Sequence, residues 1–295
     1  MASFREYSVK LAAMGGMRRV TATMKMVAAS HLHRAQNELH LPEPFAVHLR
    51  LLSRIARLPR FAGHRLCTPP PAGGSVRLLL LVMCSDRGLC GAFNSSIIRE
   101  VRRWYAEQVA TRGARGEALY VGQKGFAALR NDIPPCARPA PVMSAHPNIK
   151  ETVPISTVAL DSFLAGQYDE VWIAGNRVVS AMTHQVKRNR ILPYDPTRAV
   201  LPPDAQPPPP LPGLLEPADA RLLETLVRLW VHDSVYFAQL NRTASEQAAR
   251  VMAMENATVN LRRMEKDLLL WRNRARQAAI TNELNEIVSG AETLG

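Results

Sequence analysis

The sequence lacks any apolar run of about 18 or more residues, so it contains no segment that predicts a membrane-spanning helix. The apolar stretch Val76–Cys84 is far too short for that role and is typical of a buried strand. The opening residues, MASFREYSVKLAA, have neither the hydrophobic core of a signal peptide nor the composition of an Arg- and Ser-rich leader. We therefore expect a cytoplasmic protein without direct membrane insertion.

Cysteine is scarce, and the common catalytic motifs are absent. The spacings of Cys67, Cys84, Cys90 and Cys136 match no zinc pattern and include no CxxC pair, which favours free thiols in a reducing compartment. HExxH, GxSxG and phosphate-loop motifs are missing, and the eight histidines do not cluster with cysteines or carboxylates at metal-ligand spacing. We expect no catalytic residue, no metal and no cofactor.

Positive charge is abundant and unevenly distributed. The 295 residues carry a net charge of +12, and residues 1–65 hold eleven Lys and Arg against three Glu. Residues 218–290 are nearly balanced. A basic N-terminal segment fits nucleic acid, an anionic membrane surface or an acidic protein partner, and a solvated basic face explains it equally well.

The N-terminal segment has helical periodicity up to about residue 60. Gly15-Gly16 interrupts the pattern and predicts either a bend or a turn held from outside, and Leu41–Pro44 predicts a kink. The apolar stripe advances in steps of three and four, with one short step after the fourth member: Phe4, Tyr7, Leu11, Met14, Met17, Val20, Met24, Val27 and His31.

The middle of the chain alternates strand-like and helix-like segments. Val76–Cys84, Ala118–Gly122 and Asp169–Gly175 predict strands, and helical segments separate them. This order predicts an α/β domain with a largely parallel sheet. A Pro-rich stretch follows it.

The C-terminal segment predicts one long helix with a heptad seam. One helix cannot bury such a seam alone, and the N-terminal stripe is the other long helical pattern in the chain. The seam repeats over more than three heptads: Met254, Ala257, Leu261, Met264, Leu268, Trp271, Ala275 and Ala278.

These patterns predict an α/β fold class in which a long antiparallel coiled coil of the N- and C-terminal helices carries an inserted, Rossmann-like α/β domain. The predicted limits are 1–66 for the N-terminal coiled-coil helix, 75–194 for the α/β domain, 195–217 for a Pro-rich loop and 218–295 for the C-terminal helix.

The segment SDRGLCGAFN lies between a strand and a helix, where a phosphate-binding turn would sit. Gly88 and Gly91 complete neither glycine fingerprint, so a tight turn is favoured over a nucleotide site. In that turn Asp86 and Arg87 either pair or face a partner. Asn94 and Ser95 are candidate helix caps.

Methionines lie in both terminal segments, at Met24, Met26, Met252 and Met254. Their flexible side chains suit an adaptable partner surface. Core packing within a coiled coil explains them equally well.

Four motifs resemble the γ subunit of F-type rotary ATP synthases, and the resemblance runs from end to end. Gly16-Met17, where the family commonly carries Asn-Thr, departs from that pattern and suggests a divergent bacterial branch. The motifs are MKMVAASHLHRAQ (24–36), SDRGLCGAFNSSII (85–98), SEQAARVMAMENAT (245–258) and RNRARQAAITNELNEIVSGA (272–291).

The resemblance implies a central rotor shaft that couples ion flow through the membrane sector to ATP synthesis or hydrolysis at the β subunits. It implies a non-catalytic chain with the α and β subunits, the ε subunit and the c-ring as partners, on the cytoplasmic face of the bacterial inner membrane. The alternative is a basic coiled coil that binds nucleic acid or acts as a scaffold, but no groove-reading motif is evident.

Matching the family's motifs residue by residue implies partner contacts in two places. Arg276, Gln277 and Thr281 would meet a loop of one β subunit. Met24 and Cys90 would lie close to an acidic helix-turn-helix of β, where the basic side chains of Lys25 and Arg87 fit the partner's charge.

Overall fold

The computed structural model describes residues 3–39, 43–61, 63–70, 74–136, 144, 147–178, 184–197 and 220–292. The helices are α1 (Phe4–Glu38), α2 (Glu43–Ile55), α3 (Phe93–Arg112), α4 (Gln123–Leu129), α5 (Ile149–Leu164) and α6 (Ala220–Glu292). The strands are β1 (Arg77–Met83), β2 (Arg115–Val121), β3 (Glu170–Val178) and β4 (His184–Leu192). The predicted Pro-rich loop lies outside the described residues from position 198 onward.

Helix α1 starts with a reciprocal cap. The backbone N–H of Glu6 donates to Ser3 Oγ at 3.3 Å, and the Ser3 N–H donates to Glu6 Oε2 at the same distance. The helix then runs without interruption through Gly15-Gly16, so of the two expected alternatives the bend is absent. A Cβ added at Gly15 would lie 4.0 Å from Glu265 Oε1 of α6, which indicates that this face packs on α6. Tertiary packing thus overrides the weak helix propensity of glycine.

The sheet has the strand order β2-β1-β3-β4. The pairs β1–β2 and β1–β3 are parallel, which confirms the predicted, largely parallel sheet. Strand β4 was not predicted from the sequence and pairs antiparallel with β3 at one edge. Its sequence, HQVKRNRIL, carries three basic residues, and charged side chains on an edge strand disfavour pairing with other chains.

Helices cover both faces of the sheet, so two hydrophobic cores form. Alternate residues of β1 point to opposite faces: Leu79 and Leu81 belong to one core, and Leu78 and Leu80 to the other. The first core takes residues from α2, α5 and the start of α6, and the second takes residues from α3 and α4. This arrangement is typical of an α/β layered domain.

A buried carboxylate fastens α3 to the sheet. Glu170, at the start of β3, is 1 % exposed and accepts hydrogen bonds from Arg112 Nη2 at 2.8 Å and from Trp172 Nε1 at 2.8 Å. Arg190 Nη1 lies 3.5 Å from the same carboxylate. Burial alone would raise the pKa of Glu170, but the bonds from Arg112 and Trp172 and the charges of Arg112 and Arg190 outweigh it and lower the pKa.

At the carboxyl end of β2 the backbone passes close to the end of β1. Gly122 has a φ of 101°, and a Cβ there would lie 2.2 Å from the Cys84 carbonyl oxygen. Glycine is required at this position because a side chain has neither the space nor the backbone conformation.

The chain forms two compact units. Unit 1 comprises residues 1–29 and 250–295, and unit 2 comprises residues 30–249. Both α1 and α6 contribute residues to each unit. The domain limits expected from the sequence stay a prediction.

Candidate functional site

In unit 1, α1 and α6 pair side by side. As the residue numbers of the contacts rise along α1, those of their partners on α6 fall, so the two helices are antiparallel. The contacts are Tyr7 with Trp271 (ring centroids 6.3 Å), Arg18 Nε with Glu265 Oε1 (3.3 Å), Thr21 Oγ1 with Thr258 Oγ1 (3.1 Å) and Lys25 with Glu255.

The seam of α6 differs from the predicted one at every second position. Met264 and Trp271, expected inside, are 52 % and 50 % exposed. The polar groups of Thr258 and Glu265 instead face α1. The covered positions keep an alternating spacing of four and three: Met254, Thr258, Leu261, Glu265, Leu268, Arg272 and Ala275.

The seam of α1 contains small residues, and its spacing lacks the short step that the sequence predicted after Met14. Thr21 is half-buried and Ala28 is 1 % exposed, whereas the expected members Met17, Val20 and Val27 are exposed. The expected members Leu11, Met14 and Met24 are half-buried, so the face of α1 toward α6 combines large apolar side chains with small and polar ones. Several other large apolar side chains face outward.

The outward-facing side chains give unit 1 an extensive exposed apolar surface. Met26 is 72 % and Leu270 is 58 % exposed. Apolar exposure on this scale marks a surface that another protein covers. Its large apolar members are Phe4, Val9, Met17, Val20, Met26 and Val27 on α1, and Met252, Val259, Met264, Leu269, Leu270, Trp271, Ile280, Leu284, Ile287 and Val288 on α6.

Of the predicted contact residues on α1, Met24 is half-buried and Lys25 has an internal partner. The Lys25 ammonium donates to the carboxylate of Glu255, and both side chains are 44 % exposed. The hydrogen bond from Lys25 and then its charge lower the pKa of Glu255. Half of each polar group remains available to a partner.

The predicted contact residues near the end of α6 are fully accessible. Arg276, Gln277 and Thr281 are all exposed, as are all residues from 276 to 289. The Thr281 hydroxyl donates to the Gln277 carbonyl at 3.0 Å, which confirms that these two lie on one helix face. This end of α6 offers polar side chains beside exposed Ile280 and Leu284.

The turn between β1 and α3 holds the last two predicted contact residues. Arg87 is exposed, and its carbonyl accepts from Ser85 Oγ at 2.7 Å. Cys90 is 2 % exposed, and its Sγ accepts from Asn94 Nδ2 at 3.3 Å. Arg87 is therefore placed to meet a partner directly, whereas Cys90 shapes the turn from inside. Direct partner contact by Cys90 stays a prediction.

Asn94 and Ser95 do not cap α3, contrary to the sequence expectation. The cap position is Ala92, without a side-chain bond. Asn94 lies inside the first turn and reaches back to the strand, where its Oδ1 accepts from the Ser85 N–H at 3.0 Å. Asp86 in turn accepts from the Gln123 N–H at 3.0 Å, at the start of α4. These bonds use the polar groups of the turn to join β1 to α3 and α4.

Within the described ranges, no helix is long and apolar enough to cross a membrane. The same residues contain no cluster of three or more His, Cys, Asp or Glu side chains that could hold a metal ion.

The sequence is similar to ATP synthase γ chains over its whole length. A family model described as ATP synthase matches residues 3–294. The chain is 36 % identical to the ATP synthase gamma chain of Anaeromyxobacter dehalogenans, with full coverage of both chains. The chain belongs to the ATP synthase γ-chain family. It is also 33 % identical to the gamma chain of Geotalea uraniireducens, covering 100 % of this chain and 99 % of the relative.

Solved structures show the same architecture. A chain from the central stalk and c-ring of the Tetrahymena thermophila mitochondrial ATP synthase has a TM-score of 0.60 and 28 % identity, covering 81 % of this chain and 99 % of that one. A chain of the Euglena gracilis mitochondrial ATP synthase has a TM-score of 0.63 and 17 % identity, covering 99 % and 94 %, and shows the fold alone. Membership in the γ-chain family favours the rotor interpretation over a nucleic-acid-binding or scaffold protein.

The sequence pattern did not reveal the partners that α6 supplies to the basic side chains of α1. Glu255 and Glu265 each lie one position after a member of the predicted seam, so heptad counting treats them as solvent-facing. Their ten-residue separation is about 2.8 helical turns, which places them about 80° apart around the helix, so their spacing gave no signal that both contact α1.

Proposed function

We propose that the chain is the central shaft of an F-type ATP synthase and that its paired helices turn inside a hexamer of α and β subunits. The observation that carries the proposal is the construction of unit 1. Buried apolar side chains such as Leu268 and polar contacts such as that of Thr21 hold α1 and α6 together, and large apolar side chains such as Met264 and Leu270 face outward. A helix pair built this way stays paired while it presents an apolar surface to the surrounding α and β subunits.

The mechanism follows from the asymmetry of that surface. The outward surface combines exposed apolar side chains such as Met26 and Leu270 with exposed basic ones such as Arg19, so each β subunit would face a different side of the shaft. Turning the shaft exchanges those sides and with them the conformation that each β subunit favours. This is a coupling free energy between sites, carried by rigid rotation. The bonds of ATP are made and broken in the β subunits, and this chain is non-catalytic.

Two sets of side chains would act at the β subunits. Lys25 and Arg87 offer positive charge to an acidic helix-turn-helix that passes close to Met24, and Cys90 supports the turn that carries Arg87. Arg276, Gln277 and Thr281 offer hydrogen bonds to a β-subunit loop at the exposed end of α6. The first set allows sliding, and the second holds a rotational position.

Unit 2 would connect the shaft to the membrane sector. Its α/β layers would rest on the c-ring beside the ε subunit. The chain would then be a peripheral protein on the cytoplasmic face of the bacterial inner membrane.

Co-purification with the α and β subunits tests the proposal. The chain is expected to purify with both in fixed proportion and to show no ATP hydrolysis alone. Placing charge on the outward surface, as in Met264→Glu with Leu270→Glu, should prevent assembly without unfolding the isolated chain, because both side chains are exposed. Arg263→Glu, at another exposed position of α6, serves as the matched control. Normal assembly of the double variant, or robust hydrolysis by the isolated chain, would contradict the proposal.

A further inference from the structure

Helix α6 fills the crevice where sheets of this type ordinarily bind ligands. In open α/β sheets that crevice lies at the carboxyl ends of the strands, at the point where the strand order reverses. Here that point lies between β1 and β3. Arg242 Nη1 donates to the Cys84 carbonyl at the end of β1 at 3.2 Å, and Asn241 Oδ1 accepts from the Val178 N–H at the end of β3 at 3.1 Å.

The part of α6 that crosses the crevice is enclosed on every side. Residues 242–249 are all buried, although their sequence, RTASEQAA, is polar at five of its eight positions. Val235 belongs to the core on one face of the sheet, and Ala249 belongs to the core on the other face. The helix therefore passes from one face to the other over the edge of the sheet.

Arg242 joins this segment to the sheet through directional bonds. Its side chain is buried, with the residue 4 % exposed, and its Nε donates to Gln239 Oε1 at 2.8 Å. Its Nη1 also donates to Glu246 Oε2 at 3.1 Å. Glu246 and Gln239 thus hold the guanidinium in one orientation, from which it reaches the Cys84 carbonyl on the central strand.

A buried ion pair is a weak source of stability, because apolar residues of similar volume often serve as well. It does supply direction: apolar contacts tolerate sliding and rotation of a helix about its axis, whereas a hydrogen bond to a main-chain carbonyl does not. If α6 slid or rotated against the sheet, part of the movement of the sheet would not be passed on to the helix.

We propose that Arg242 is a positioning residue for energy coupling: it fixes α6 to the carboxyl end of β1, so that turning force passes between the α/β layers and the helix. This inference rests on the proposed function as a shaft. Gln239 and Glu246 act through Arg242 by setting its orientation.

The test uses the assembled ATP synthase in membrane vesicles, with ions pumped per ATP hydrolysed as the readout. In the double variant Arg242→Met with Glu246→Leu, both charges leave together, so no unpaired buried charge remains. A hydrogen bond to a charged group shifts the equilibrium between the fixed and the displaced helix by about tenfold or more. Without that bond a larger share of turns would be lost, and we expect at least a ~2-fold loss of ions pumped per ATP. ATP hydrolysis and the melting temperature should stay close to the parent's.

Arg77→Met with Asp169→Leu is the matched control, because it also removes both charges of an ion pair in the α/β layers without touching α6. It should leave coupling at the parent level. Arg242→Lys keeps the positive charge but replaces the planar guanidinium with a single ammonium group. The ions pumped per ATP should then lie between the values of the parent and the double variant.

The outcomes separate the two proposals. A parent complex that hydrolyses ATP without pumping would overturn the proposed function. A pumping parent with an equally well-coupled double variant would overturn the role of Arg242 and leave the shaft function standing. If the double variant fails to assemble, Arg242→Lys decides: parental coupling in that variant overturns the role, and reduced coupling with parental stability supports it.

Discussion

Lys25 on α1 and Glu255 on α6 form an ion pair across the helix pair of unit 1, and each side chain remains 44 % exposed. The pair holds the two helices in register at the position next to Met24. Because both groups also meet solvent, its contribution to stability is small and falls with added salt.

The first prediction concerns this pair and pH. The hydrogen bond from Lys25 lowers the pKa of Glu255, so the stabilisation is present above the unfolded-state pKa and is lost as the pH falls through the lowered value. Glu255→Gln should therefore melt slightly below the parent at neutral pH and level with it in acid. An unchanged difference across that range, measured by thermal melting at low salt, would contradict the assignment.

The second prediction concerns the buried carboxylate of Glu170. Glu170→Gln removes the charge that pairs with Arg112 and leaves Arg190 with Asp195 at 3.6 Å, and should destabilise the chain by about 2 kcal/mol or more. Its lowered pKa means that the parent loses this stabilisation only as the pH falls through that value, whereas the variant has none to lose. Urea unfolding across acid and neutral pH measures both effects.

Asp169→Asn is the control for Glu170. Its partner Arg77 is 51 % exposed at the side chain, so the loss should be about 1 kcal/mol or less. Equal losses in the two variants would show that burial does not decide the strength of these pairs.

The third prediction concerns the close approach of β2 and β1. Gly122→Ala combines a φ of 101° with a Cβ placed 2.2 Å from the Cys84 carbonyl oxygen, and should cost about 2 kcal/mol or more. Gly88→Ala has open space around the new methyl group and should change stability by about 0.5 kcal/mol or less. Thermal melting of both variants checks the difference, and a Gly122 variant as stable as the parent would refute it.

The fourth prediction concerns coupling at Met24. Met24→Lys places a second cation beside Lys25, where it can pair with an acidic element of a β subunit in some rotational states only. Assembly and ATP hydrolysis should be retained while ions pumped per ATP fall. Met24→Leu keeps an apolar side chain and should pump like the parent.

A further variant identifies where the Met24→Lys charge acts. If Glu255→Gln added to Met24→Lys restores coupling, the new charge acts through Glu255 within the chain and the proposed β-subunit contact is wrong. Persistent loss of coupling supports the contact.

The fifth prediction concerns the exposed end of α6. Arg276→Ala with Gln277→Ala should lower ATP hydrolysis by the reconstituted complex, since hydrogen bonds to charged groups contribute about 1.5–3 kcal/mol each. Arg263→Ala removes another exposed arginine of α6 and should have little effect. Unchanged turnover and assembly in the double variant would remove Arg276 and Gln277 from the contact.

The sequence was informative where one physical signal dominated. The apolar run that became β1 and the alternation of strands and helices predicted the sheet and its layers, because buried parallel strands need continuous apolar side chains. Strand β4 escaped prediction because it lies at an edge and its basic side chains obscure the apolar pattern of a strand.

The register of the helix pair was not predictable from large apolar residues alone. Leu261 and Leu268 of the heptad pattern are covered as predicted, but Met264 and Trp271 are exposed. Glu265 and Arg272 take the covered positions in their place. A chain whose outer surface is itself apolar provides two apolar stripes, and hydropathy cannot say which one faces the partner helix. Arg242 was missed for a related reason, since a polar run within a helix is typical of a solvated face.

The bond from Arg242 to Cys84 also has a consequence for biosynthesis. It joins residues 158 positions apart, so the edge of the sheet stays open while the ribosome makes the intervening chain. Closure waits for a segment near the C-terminus, and long-range contacts of this kind slow folding. A nascent chain therefore cannot complete its α/β layers before α6 exists.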